Sequence, residues 1–147
     1  MKKTIIIFSL LLTTGLSVVF ANENVSPDKK TLEGFKKEFI AAQSVTWEKQ
    51  DDFDKATFLL SGHRVIAWFN TDGQLEGSIR DIFFDQLPLT VMTAVDKRFV
   101  NADIYSVREI TKNELTSYSI TLEAKNKKYT VKVGSSGTID EVEKVSK

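Results

Sequence analysis

Three aspartates, Asp51, Asp52 and Asp54, fall within four consecutive positions. Carboxylates that close could hold Ca²⁺, a hard cation that takes oxygen ligands. Their spacing lacks the EF-hand pattern, and mutually repelling acids in an exposed hairpin loop are the competing reading. Asn70-x-Asp72-Gly73 resembles a fragment of a calcium loop, but its residue types are equally those of a turn. His63 is the single histidine. A multi-His metal site is therefore excluded, and any His-dependent triad would rest on this residue alone. His63 follows Gly62 and shares its strand parity with Val65, Ala67 and Phe69. That places it at the rim of a core, with no Ser or Asp motif beside it.

The chain has no cysteine. It has no thiolate nucleophile, no Cys-ligated zinc, no disulfide framework and no lipid anchor on sulfur. No phosphate-cradling glycine loop or dinucleotide fingerprint occurs, and nothing marks a carboxylate pair for glycoside hydrolysis. These residues point away from an enzyme and imply no cofactor. A calcium-responsive or small-ligand sensor built on Asp51, Asp52 and Asp54 stands as the alternative function.

The elements that would position these residues begin after an export signal. Lys2 and Lys3 precede the mostly apolar run Ile5–Val19, and Val19-Phe20-Ala21 suits a signal peptidase. The run is too short and too diluted by Thr13, Thr14 and Ser17 for a membrane span. Residues 1–21 are read as a signal peptide and 22–31 as a flexible polar leader. The product is expected to be periplasmic or secreted, with no membrane span once the signal is cleaved. Basic and acidic residues balance over all 147 positions. That balance argues against nucleic-acid binding, which needs a basic excess.

From Leu32 onward the chain reads as one unit written twice, over 32–83 and 84–145. Phe35 and Phe39 share a helical face. Val45–Trp47, Lys55–Ser61, Arg64–Asn70 and Gln74–Ile82 read as strands, with Thr71-Asp72-Gly73 a hairpin turn. In the second unit Leu87-Pro88 opens a helix, and Met92, Val95 and Phe99 form its stripe. Ile104–Ile110, Ser117–Ala124, Lys128–Val133 and Thr138–Val145 follow as strands. The expected fold class is α+β, a tandem repeat of one helix plus a four-stranded antiparallel sheet, with the helices packed on one sheet face.

The two units differ on the side away from the helix. Alternate strand residues face opposite sides. In the second unit the outward set is polar: Ser119, Thr121, Glu123, Lys128, Thr130 and Lys132. In the first it includes Leu59, Arg64, Ile66 and Trp68. An aromatic residue with aliphatics and an arginine on an open sheet has the composition of a recognition patch. Burial of this patch by the other unit, or by Ile82-Phe83-Phe84, is the structural alternative. The sequence thus predicts a binding module that docks a protein or peptide of the cell envelope.

Val45-x-Trp47, Ala56-x-Phe58, Ala67-x-Phe69, Asp72-Gly73 and Leu87-Pro88, in that order, resemble the exported PepSY-like, beta-lactamase-inhibitor-like proteins of Bacteroidetes. The resemblance covers about residues 32–145. It implies a periplasmic α+β protein in which helices pack on antiparallel sheet, and it carries no catalytic motif. The second unit departs from the pattern: Tyr105 and Val107 stand near the expected Trp, and Tyr118 and Tyr129 occupy aromatic strand positions. A partner reading Trp-type contacts would therefore be read by the first unit.

Overall fold

The computed structural model describes residues 26–145. The expected signal over 1–21 and the start of the leader lie outside them. Helix α1 spans Lys29–Glu38 and is followed by strands β1 (Gln43–Gln50), β2 (Phe53–Leu60), β3 (His63–Phe69) and β4 (Leu75–Ile82). A 3-10 turn over Phe84–Gln86 leads to helix α2 (Leu89–Arg98) and strands β5 (Asp103–Lys112), β6 (Leu115–Ala124), β7 (Lys127–Gly134) and β8 (Ile139–Lys144).

All strands among the described residues join one antiparallel sheet of eight in the order β1 to β8. This corrects the expected fold class. The chain is not a tandem pair of helix-plus-four-strand units. Over the described residues it is mainly β, a single continuous sheet carrying two ten-residue helices. The deciding contact is the β4–β5 ladder, which runs from Gly77 opposite Lys112 to Ile82 opposite Val107. Alternation within a strand reports which face it buries, not which neighbour it pairs with. The link across the 83–88 connection was therefore invisible to periodicity.

Both helices lie on the same side of the sheet and cover separate cores. Phe35 of α1 packs on Ala56, Phe58, Val65, Ala67 and Phe69. This core is aromatic: Phe35 meets Phe58 edge-on with centroids 5.0 Å apart, and Trp47 closes its flank at 5.1 Å. The second core is largely aliphatic. Val91 and Val95 of α2, one helical turn apart, sit on Val107, Ile120, Leu122, Val131 and Val133. The expected stripe included Val95 correctly. Met92 and Phe99, however, pack only at the margin, and the buried Val91 takes the central place. Between the cores the helix-side face turns polar. Arg80 pairs with Glu109 at 3.0 Å, in a row that runs from Val65 across to Tyr118. Burial pushes the Tyr118 hydroxyl above its ordinary range, and the neighbouring Glu109 carboxylate adds to the effect.

Each helix start is held by a turn at the far end of a hairpin. Gly73, between β3 and β4, has φ +76° and lies against the Lys30 backbone. Gly137, between β7 and β8, has φ +87° and lies against the Thr90 carbonyl. Only a residue without Cβ satisfies both the left-handed backbone and the close approach.

Candidate functional site

The sheet face away from the helices is covered by nothing among the described residues, and its first half carries the apolar side chains. Leu59 stands opposite Arg64. In the next row Ile66 stands opposite Thr57 and Ile79, and Ile79 opposite Ile110. In the row beyond, Trp68 lies between Lys55 and Gly77. Three isoleucines on three adjacent strands thus abut an indole. Because Gly77 has no side chain, the surface dips beside Trp68. The result is a groove of about 340 Å³ whose walls include Phe53, Trp68, Ile79 and Ile110.

Polar contacts hold this patch in place. The Trp68 indole N–H donates to Gln50 Oε1 at 3.1 Å, fixing the ring across two strands. Arg64 and Arg108 flank one carboxylate, Asp81, at 3.7 and 3.5 Å. Lys55 donates to Glu48 at 2.8 Å, and that hydrogen bond holds the Glu48 carboxyl below its usual range. Toward β8 the same face is polar apart from Leu115, which stands opposite Lys112 at the start of β6 and is exposed. There Lys132 bonds Glu141, which lowers the Glu141 pKa and raises that of the lysine.

All four residues expected to form the patch reach this face. Leu59 is 40% exposed, Arg64 is exposed, and Ile66 and Trp68 are half-buried. The Ile82-Phe83-Phe84 segment does not cover them. Ile82 and Phe84 pack into the α2 core, and Phe83 is exposed against the His63 ring with centroids 5.4 Å apart. Phe53, Ile79 and Ile110 were not singled out from the sequence. Phe53 sits among the aspartates whose expected place is a hairpin loop. Ile79 and Ile110 lie on strands whose mutual register no local pattern reveals.

The three aspartates do not converge. Asp51 and Asp52 sit exposed in the β1–β2 turn, whereas Asp54 points to the helix side and is 4% exposed. Asp54 accepts a hydrogen bond from Thr31 Oγ1 at 2.9 Å and pairs with Lys49 at 3.0 Å. Its parity with the buried Ala56 and Phe58 explains the placement. Asn70 Oδ1 accepts the backbone N–H groups of Asp72 and Gln74, each at 3.0 Å, which is a turn staple. Among the described residues no group of three or more His, Cys, Asp or Glu is placed to hold a metal ion. No helix among them is long and apolar enough to cross a membrane.

No protein-family model matches the chain, and no curated protein matches it. Solved structures do. A BLIP-like protein from Bacteroides fragilis superposes with a TM-score of 0.72 at 19% identity, over 84% of this chain and 89% of that one. A DUF2874 family protein from Bacteroides ovatus gives 0.71 at 24% identity, over 82% and 89%. A proposed periplasmic protein from Bacteroides eggerthii gives 0.71 at 18%, over 82% and 90%. At these identities the likeness is one of fold.

Proposed function

We propose that this chain is a non-enzymatic binding module that docks a protein or peptide of the cell envelope on its open sheet face. Residues 1–21 act as the export signal, and the product works in the periplasm or outside the cell. One observation carries the reading. A contiguous set of Leu59, Ile66, Trp68, Ile79 and Ile110 lies on the solvent side of the sheet, on strands β2 to β5 rather than on loops. Such a patch is the composition of an interface centre, with the aromatic residue as its anchor. The flanking charged pairs supply a polar rim. Association with the face would occlude or scaffold the partner, and the BLIP-like and proposed periplasmic proteins of the same fold are in keeping with that role.

The test is affinity capture from an envelope extract, with the exported chain and its Trp68→Ala and Ile79→Ser variants as baits. The reading predicts one partner retained by the parent chain and lost by both variants, all three baits remaining folded. A partner held equally by all three would place recognition elsewhere.

A further inference from the structure

The two helices end alike. Each last turn carries a pair of cations, Lys36 and Lys37 on α1 and Lys97 and Arg98 on α2. Each closes on a half-buried phenylalanine, Phe39 or Phe99. An aliphatic residue follows at once: Ile40 is 94% exposed and Val100 is 70% exposed. Cations at a helix C-terminus complement its dipole, but nothing in helix ending calls for a bare aliphatic, whose exposure is unfavourable in water.

Both features lie at one end of the molecule. The helix starts abut the β3–β4 and β7–β8 turns, so the helix ends point the other way, toward the β6–β7 hairpin. The tip of that hairpin, Lys125-Asn126-Lys127-Lys128, is exposed throughout. Acids offset these cations in part: Glu38, Asp96, Asp103 and Glu143 are exposed, and Glu123 accepts the Tyr105 hydroxyl at 3.1 Å. The turns at the opposite end carry Asp51, Asp52, Asp72 and Glu114, with Lys30 at the α1 start paired to Asp72 at 3.3 Å. Cations thus outnumber acids at the helix C-terminal end.

Cations around single solvated aliphatics suit an anionic lipid surface. The surface potential attracts the cations, and short apolar side chains enter the headgroup layer. The two tips suit a protein partner less well. The helices sit about four strands apart, so Ile40 and Val100 are separate points roughly 19 Å from each other rather than one contiguous patch. We propose that the helix C-terminal end of this protein seats on an anionic phospholipid bilayer, with Ile40 and Val100 dipping into the headgroup layer and the neighbouring lysines and Arg98 on lipid phosphates. The proposal stands apart from the open-face reading, and this orientation leaves that face free.

Co-sedimentation of the exported chain, its amino terminus checked by mass, with vesicles of phosphatidylcholine alone or with added phosphatidylglycerol tests this. Binding is expected only to the anionic vesicles and is expected to weaken as salt rises. The double variant Ile40→Ser, Val100→Ser should lose affinity about tenfold, the equivalent of removing two partly buried aliphatics. It should keep the parent melting temperature, because neither residue packs in a core. Trp68→Ala should bind like the parent. Equal binding to both vesicle types, no binding at low salt, or undiminished binding by the double variant would overturn the proposal. Loss with Trp68→Ala would place the lipid contact on the open face and overturn it as well.

Discussion

Gly34 on α1 and Gly73 in the β3–β4 turn meet backbone to backbone. A Cβ built on Gly34 would run into the Gly73 carbonyl, and one on Gly73 into the Lys30 carbonyl. The contact sets the distance between the helix and the hairpin that carries Trp68. Gly34→Ala should therefore destabilise the protein, even though alanine is the better helix former by about 1 kcal/mol. The expected net loss is about 2 kcal/mol, as for other overpacked contacts. Denaturant unfolding of the two proteins checks the sign.

Trp68 is expected to separate binding from folding. Its ring rests on the open face and takes one hydrogen bond, from its own N–H to Gln50. Trp68→Ala should weaken partner capture by about 2 kcal/mol, or roughly thirtyfold, as at an interface anchor. The melting temperature should fall by only a few degrees. A titration of the captured partner against both proteins, beside a thermal melt, reads the two effects independently.

Asp54 should behave as a structural carboxylate. It joins Thr31 of α1 to Lys49 of β1. Asp54→Ala leaves the Thr31 hydroxyl unpaired while Lys49 still reaches water, so a loss of about 1–2 kcal/mol is expected. Millimolar Ca²⁺ should not shift the melting temperature of the parent protein, because Asp54 faces away from Asp51 and Asp52. A calcium-dependent rise would show that the loop gathers ligands after all.

The Lys132–Glu141 pair predicts weak pH dependence on both limbs. Glu141 titrates below its ordinary 4.5 in the folded chain, so its contribution is present above that pH and is lost as pH falls through the folded value. Lys132 titrates above its ordinary 10.5, so its contribution is present below that pH and is lost as pH rises through the folded value. Glu141→Gln should flatten the acid limb of a stability–pH curve, and salt should shrink the difference because both groups are exposed.

Much of the local structure was legible because alternation and turn chemistry act within a few residues. Val65, Ala67 and Phe69 share the parity expected of the core and are buried, while Leu59, Ile66 and Trp68 have the outward parity and lie on the open face. Asp54 was legible in principle, since it keeps parity with Ala56 and Phe58, but its charge concealed this. Ile79 and Ile110 were not legible as neighbours. Their contact depends on the β4–β5 register, which is set by packing between segments a full helix apart in the chain. The same register decided the fold class. The isoleucine row is the part of the candidate site that no reading of separate strands could assemble.

The β4–β5 ladder has a consequence for how the molecule comes apart. The covalent connection through Phe83–Pro88 runs beside a seam that six consecutive residue pairs already hold, from Gly77–Lys112 to Ile82–Val107. Scission of the exposed peptide at Asp85-Gln86 would cut the chain without parting it. The two fragments would remain a stoichiometric complex and melt together, and separately made fragments would find each other along that seam.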